Sequence, residues 1–508
     1  DRDASQPHPH PAQAHYGQQA AHDAPTVTGR ALNDKQRTAV EQATRAIPYE
    51  GCAVTLIQGP PGTGKTHTSV EIVYRWLNVI RQAGQYAHQA HMQEAHVQEM
   101  RGEKPTKGPK LEQILVTGYS NIAVNNIMAG LLKHGVRALR VGNGHGMTED
   151  TLQSETERDR RHGDVQRMRE MGRYPEAARL LFMIQERILE NAEVICATCM
   201  TAGSDMLAKR TFSSVLLDEA TQSTELATLV PLVDTCQRLV LVGDHRQLPP
   251  TILSYKAQLA GLAESLFERF IRLGYPFTML ECQFRMHPTI AEFPAAQWYD
   301  GRLQNGVTAM DRIAPLALQW PNRSQPVAFV PVGDERSRQL ETKSFSGSKF
   351  NPQEAQLVTN LVQAVLTGGD IPPQEIAVIT PYQGQVRELA RLLRGTGVRV
   401  DSVDAFQGME RDLVIVSTVR CNYGGYVGFL KDERRLNVLL TRARRGIIIC
   451  GHEKTLRSDP IWSRWLDWAM SKGLSALPAA ILPNGWQQNS RNNQWHRQRS
   501  EQSLSTHQ

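Results

Sequence analysis

Cysteine is scarce, with seven in 508 residues. The odd number and the scattered spacing exclude a disulfide-stapled secreted scaffold and suit a reducing compartment, cytoplasmic or nuclear. No uninterrupted apolar run approaches the roughly 20 residues a bilayer-spanning helix needs, so no membrane partner is expected. The N-terminus is polar and His-rich and lacks the apolar stretch of a secretory signal. There is no large excess of charge of one sign: a net charge of +6 and a pI of about 8.9 permit an anionic partner without demanding one. Short tandem repeats are also missing. What remains is a chain with 40% hydrophobic and 21% charged residues, long enough for two or three domains with sizeable cores. It begins at Asp1 rather than Met, as expected of a fragment of something longer.

Residues 1–28 are rich in His, Gln, Ala and Pro and read as a disordered tail. A first α/β segment is expected over 29–275. Its apolar runs Ala53–Ile57, Ile114–Thr117, Val215–Leu217 and Leu239–Val242 look like buried parallel strands. Within it, Tyr86 to Lys110 is polar and reads as a loop. A charged, helix-prone stretch from Glu149 to Glu190 reads as a protruding helical hairpin, an insertion at about 145–192. A second α/β segment is expected over 276–473, with strands at Ala377–Thr380, Val398–Val400, Leu413–Ser417 and Ile447–Cys450. Residues 474–508, rich in Gln, Asn and Ser, read as a second disordered tail. Cys196 and Cys199 form a C-x-x-C, but no second Cys/His pair lies nearby at ligand spacing. A buried strand end explains them better than zinc, which needs four ligands.

The chemistry begins at Gly59-Pro60-Pro61-Gly62-Thr63-Gly64-Lys65-Thr66. This is the phosphate-binding loop pattern, preceded by an apolar strand and followed by a helix expected over His67 to Leu77. Its glycines let backbone N–H groups cradle phosphate oxygens at a positive helix terminus. Lys65 reaches the β and γ phosphates, and the Thr66 hydroxyl suits Mg²⁺. Val215-Leu216-Leu217-Asp218-Glu219-Ala220 is an apolar strand ending in two acids. Downstream of such a loop, Asp218 holds Mg²⁺ and Glu219 orients or deprotonates the attacking water. Gln247, in Gly243-Asp244-His245-Arg246-Gln247-Leu248-Pro249-Pro250, can bond the γ-phosphate or that water. His245 and His287 are better read as structural than as bases, because Glu219 already fills that role.

This ordered set, continued by Gln283-Phe284-Arg285-Met286-His287-Pro288, by Val403 to Glu410 and by Leu436 to Arg444, resembles the superfamily 1 helicases. The nearest branch looks like the nonsense-mediated-decay helicase group, whose members move 5′ to 3′ on single strands. The resemblance covers roughly Leu32 to Gly451 and implies two tandem RecA-like domains with the phosphate-loop NTPase fold and a helical insertion in the first. It implies that Gln36 bonds adenine, that Phe284 stacks on the base where the family usually has Tyr, and that Gly408 and Glu410 lie on the nucleotide, Glu410 at the ribose. Arg285 and Arg442 are similar to the two arginines that reach the γ-phosphate from the second domain. Fingers of this kind are worth roughly 10³–10⁵ in rate. Ser120, Asn121, Ala123 and Val124, with Thr380, Pro381, Tyr382, Ser402 and Val403, match the family's strand-contacting motifs. Tyr382 is equally open to reading as a packed core ring. Asn125 stands where the family often has Asp, and the family's extra N-terminal barrel-like insertion is not evident.

The expected function is therefore an ATP- and Mg²⁺-dependent helicase on single-stranded nucleic acid, RNA favoured over DNA. It is expected to be a monomer, with protein partners engaged through its tails. The alternatives are an ATP-switched nucleic-acid binding module without strand separation, or a DNA helicase.

Overall fold

A computed structural model describes residues 31–45, 51–100, 112–142, 149–232, 235–334, 336–337 and 339–483. The expected tail at 1–28 and positions 484–508 lie outside the described residues.

Seven parallel strands form the first sheet: β1 (Ala53–Gln58), β2 (Ile114–Gly118), β3 (Ala138–Arg140), β4 (Val194–Thr198), β5 (Ser214–Asp218), β6 (Arg238–Gly243) and β7 (Phe277–Met279). Their spatial order is β3-β4-β2-β5-β6-β1-β7. Helices cover both faces, which is why β2 and β5 are buried at every position and read as continuous apolar runs. Helix α1 (Asp34–Ala43) and α3 (Asn121–Lys133) pack with α2 (Lys65–Met100) on one face, around Trp76, Ile72, Val40 and Ile127. β7 lies past residue 275 and still pairs with β1, Ile57 opposite Thr278.

The second sheet is also all parallel: β8 (Val327–Pro331), β9 (Ile376–Ile379), β10 (Arg399–Asp401), β11 (Arg411–Ser417) and β12 (Ala443–Gly451), in the order β8-β12-β11-β9-β10. One of its core clusters continues into the first half: Leu248 and Met279 pack in the same cluster as Val403, Leu436 and Phe406.

Three expectations need correction. Residues 86–100 are not a loop, since α2 runs unbroken through 36 residues. That stretch is rich in Gln, Glu and His with interspersed Ala and Met, contains no proline, and holds several strong helix formers. Polarity marked their exposure, not their backbone. The charged insertion is three helices rather than a hairpin, α4 (Leu152–Arg158), α5 (His162–Glu170) and α6 (Tyr174–Asn191). Val165, Ala177 and Ile184 give it a small core of its own. Finally, the stretch from 474 is ordered as far as 483: Leu474 is buried, Ser475 bridges Phe329, and the Gln319 N–H donates to the Ile481 carbonyl at 2.9 Å.

Candidate functional site

The phosphate loop leaves β1 at Gln58 and enters α2 at Lys65. Gly62 and Gly64 adopt φ of 74° and 83°, a region that side chains resist. Gly62 is further required by proximity: a Cβ there would sit 2.5 Å from the Arg285 Cβ. The Phe284 N–H donates to the Gly62 carbonyl at 2.9 Å, tying the loop to the motif that carries Arg285. Pro60 closes the turn by accepting the Thr63 hydroxyl at 2.7 Å. Lys65 Nζ donates to the Gly59 carbonyl at 2.8 Å. The Gln36 amide is committed at both ends: Nε2 donates to the Thr63 carbonyl at 3.0 Å and Oε1 accepts the Asn33 N–H at 3.1 Å. It braces the loop as well as capping α1.

Asp218 is the last residue of β5 and is buried. Burial, then the charge of Glu219, pushes its carboxyl up to about 7, while Lys65 pulls it back. Asp218 lines the same cavity as Thr66, and a small hard cation bound between such oxygen donors would restore the ionisation that burial opposes. Glu219 has φ of 51°, a left-handed conformation costly for a non-glycine residue. Its N–H donates to Asp218 Oδ1 at 2.9 Å, and Gln222 Nε2 donates to its carboxylate at 2.9 Å.

The same cavity is lined from the second half by Phe284, Arg285, Gln407, Gly408, Glu410 and Arg442. Arg442 is buried. Its Nε donates to the Val438 carbonyl at 2.8 Å, and Nη2 reaches Gln247 Oε1 across the cleft at 3.4 Å. Burial, then the neighbouring Arg285, pulls its guanidinium down to about 9. Arg285 donates Nη1 to the Thr441 carbonyl at 3.1 Å and forms an ion pair with Glu410. Glu410 also faces Arg444 at 3.5 Å, so its carboxylate is paired with two arginines at the cavity wall. Despite burial, these two arginines and Arg442 hold it below the usual carboxylate range.

Behind Gln247 lies a buried polar hub that sequence reasoning missed. Asp244 accepts Gln58 Nε2 at 3.1 Å, Gln247 Nε2 at 2.7 Å and the Tyr299 hydroxyl at 2.7 Å. Asn437 Nδ2 donates to the Tyr299 oxygen at 2.8 Å and to the Arg246 carbonyl at 2.8 Å. Asp244 and Asn437 stand inside motifs already quoted. Tyr299 carries no local signal.

The strand-contacting candidates fare less evenly. Ser120, Thr380 and Ser402 all stand just past the carboxyl ends of parallel strands β2, β9 and β10, the edge where open α/β sheets take ligands. Ser120 caps α3 by accepting the Ala123 N–H, and Ser402 accepts the Ala405 N–H at 3.4 Å. Asn121 is engaged by Arg140 Nη2 at 2.6 Å, and Asn125 by Arg140 Nε at 3.1 Å. Val124 and Val403 are buried, so their side chains cannot meet a strand. Tyr382 is a packed core ring, not a stacking surface. Its hydroxyl donates to the Val427 carbonyl at 3.2 Å and accepts Arg420 Nη1 at 3.0 Å. Thr380 is buried with its hydroxyl unpartnered, beside half-buried Pro381. His287 caps a helix by accepting the Thr289 N–H at 3.1 Å, and burial pulls it down to about 4. His245 packs against Phe267 and Phe277.

Two family profiles, each described as an AAA domain, match residues 31–255 (in overlapping pieces, 31–176 and 149–255) and 262–454. The Regulator of nonsense transcripts 1 homolog of Neurospora crassa is 35% identical over 461 residues, 86% of this chain and 38% of that protein. The chain belongs to the nonsense-transcript-regulator branch of superfamily 1 helicases. The Drosophila melanogaster homolog is 37% identical, covering 86% of this chain and 36% of its own. The ATP-dependent helicase NAM7 of Saccharomyces cerevisiae is 35% identical, covering 87% and 44%. This branch member thus spans less than half the length of these curated relatives. Among solved structures, the arterivirus nonstructural protein 10 helicase aligns over 78% of this chain and 59% of its own, at 14% identity and a TM-score of 0.38. No helix among the described residues is long and apolar enough to cross a membrane.

Proposed function

We propose that the chain hydrolyses ATP in the cleft between its two sheets and uses the cycle to move 5′ to 3′ along single-stranded nucleic acid, RNA in preference to DNA, separating strands or remodelling ribonucleoprotein. The observation that carries this reading is that one cavity is lined by Lys65, Asp218, Glu219 and Gln247 from one half and by Arg285 and Arg442 from the other. A simple metabolic kinase leaves the two arginines from the second half and the loop from Gly243 to Pro250 unexplained.

In this scheme the loop amides and Lys65 hold the β and γ phosphates. Glu219 takes the proton of the attacking water, which Gln247 orients through its bond to Asp244. Arg285 and Arg442 neutralise charge as it develops on the γ-phosphate, so turnover requires the halves to close. Thr66 and Asp218 would hold Mg²⁺, which would supply further neutralisation of the phosphate oxygens. Phe284, half-exposed at the cavity mouth, offers its ring to the base. The molecule works as a monomer in the cytoplasm or nucleus, with protein partners at its terminal segments.

The test is ATP hydrolysis with and without single-stranded RNA and DNA, run beside strand separation on substrates tailed at either end. Stimulation together with unwinding from a 5′ tail is expected. Hydrolysis that ignores both nucleic acids would remove the motor, and ATP-dependent binding without directed movement would reduce the protein to a switch.

A further inference from the structure

The loop from Thr418 to Lys431, between β11 and β12, has an unusual construction. Its backbone is pinned at many points. Buried Glu341 accepts Arg420 Nε at 2.8 Å, the Cys421 N–H at 2.9 Å and Asn422 Nδ2 at 3.1 Å, and pairs with Lys349. Asn422 closes the tip by donating Nδ2 to the Tyr426 carbonyl and accepting the Tyr426 N–H, each at 2.9 Å. The Ser458 hydroxyl donates to the Gly425 carbonyl. Gly428, at φ of 61°, lets the chain pass where a Cβ would meet Arg420 Nη1 and lie 2.6 Å from the Tyr382 hydroxyl.

From this fixed frame Val427 and Leu430 point into the core, while Tyr426 and Phe429 project outward, 74% and 60% exposed. Exposing such rings wastes the burial that rings normally supply, and a pinned loop does not do so by fraying. The Phe429 ring rests on the buried Tyr382 ring, with centroids 5.6 Å apart at 58°. Lys431 follows directly, and Lys343 and Arg387 lie on the neighbouring hairpin and helix. All three are exposed and enter no ion pair among the described residues. The hairpin is tied to the same Glu341 through Lys349, and Arg387 bonds the Ser346 hydroxyl in its turn at 3.0 Å.

The loop leaves the carboxyl end of β11, the same sheet edge that carries Thr380 and Ser402. No aliphatic side chain of the loop is exposed, which disfavours an apolar protein partner. Open rings flanked by unpaired cations are what a sequence-neutral single-strand site is made of.

We infer that Tyr426 and Phe429 are the base-stacking platform of the second half for single-stranded nucleic acid, with Tyr382 as the support beneath Phe429. The inference rests on the nucleic-acid reading above and supplies the contact that buried Tyr382 cannot make.

Fluorescence anisotropy of the whole chain with labelled oligouridylate and oligothymidylate, over a series of salt concentrations, tests it. Phe429→Ala and Tyr426→Ala should each weaken binding about 5- to 100-fold without changing the salt slope, because stacking releases no counterions. Phe429→Trp should restore affinity, which loss of folding would not allow. Lys431→Ala should instead lower the salt slope by about one. If both alanine variants bind as tightly as the parent chain, the platform is refuted while the motor reading stands. If the parent binds neither oligonucleotide, both fall together.

Discussion

Tyr299 gains its role only when the chain folds, because the partners of its hydroxyl lie 55 and 138 positions away. It is a positioning residue: it touches no cavity atom but fixes Asp244, which in turn fixes Gln247. Burial and the Asp244 charge hold its hydroxyl well above its ordinary ionisation range, so it remains a donor at every working pH. Tyr299→Phe removes one donor to Asp244 and leaves the Gln58 and Gln247 bonds in place. Such a loss costs about 1–3 kcal/mol, and we expect it to appear as a roughly tenfold fall in kcat with KM for ATP nearly unchanged. Steady-state kinetics that showed KM moving and kcat constant would place the hydroxyl in ground-state binding instead. The phosphate loop, Asp218, Glu219, Gln247 and the two arginines were legible because each sits in a short fixed spacing whose chemistry is local. Tyr299 was not, since nothing within several residues of it betrays a partner.

At the scale of elements, apolar runs located four strands of each sheet, and the strand end expected at Cys196 is β4, but β3, β7 and β8 were missed. β3 and β7 are three residues each and too short to carry a periodic signal. The error at α2 came from equating polarity with irregular backbone, when exposed helix and exposed loop share a composition. The helix Pro352–Gly368 carries a further consequence in its first turn. Glu354 is buried there, accepting the Ser417 hydroxyl at 2.6 Å and the Val419 N–H at 2.7 Å. Burial outweighs these bonds and pushes its carboxyl up to about 8. The folded chain therefore holds a proton that the unfolded chain releases near pH 4–5. Stability from this group is complete below that value and drains away as pH rises toward 8, by at most roughly 1.4 kcal/mol per pH unit. Glu354→Gln keeps an acceptor and removes the titration. Urea unfolding at pH 5 and pH 8 should show the variant gaining on the parent at the higher pH. Parallel pH profiles for the two proteins would contradict this.

Across the whole molecule, polar links tie the halves together beside the cleft. Arg442 reaches Gln247, the Tyr299 hydroxyl Asp244, Asn437 the Arg246 carbonyl, Phe284 N–H the Gly62 carbonyl, and Arg434 pairs with Glu268. All but the last run through the catalytic candidates or their immediate neighbours, so a change at the γ-phosphate has a direct path to the relative position of the halves. The two-sheet α/β architecture was legible from the order of motifs. The hub that joins the halves was not, because its links span 55, 138, 186 and 191 positions. The central claim is that both halves donate cations to one phosphate. It is tested most directly by ATP turnover of Arg442→Ala and Arg442→Lys, with nucleotide affinity measured in parallel. A fall in kcat of about 10³-fold or more, with ATP binding retained, is the expected result. Turnover at the parent rate in Arg442→Ala would contradict the assignment of Arg442 as a cation acting on that phosphate.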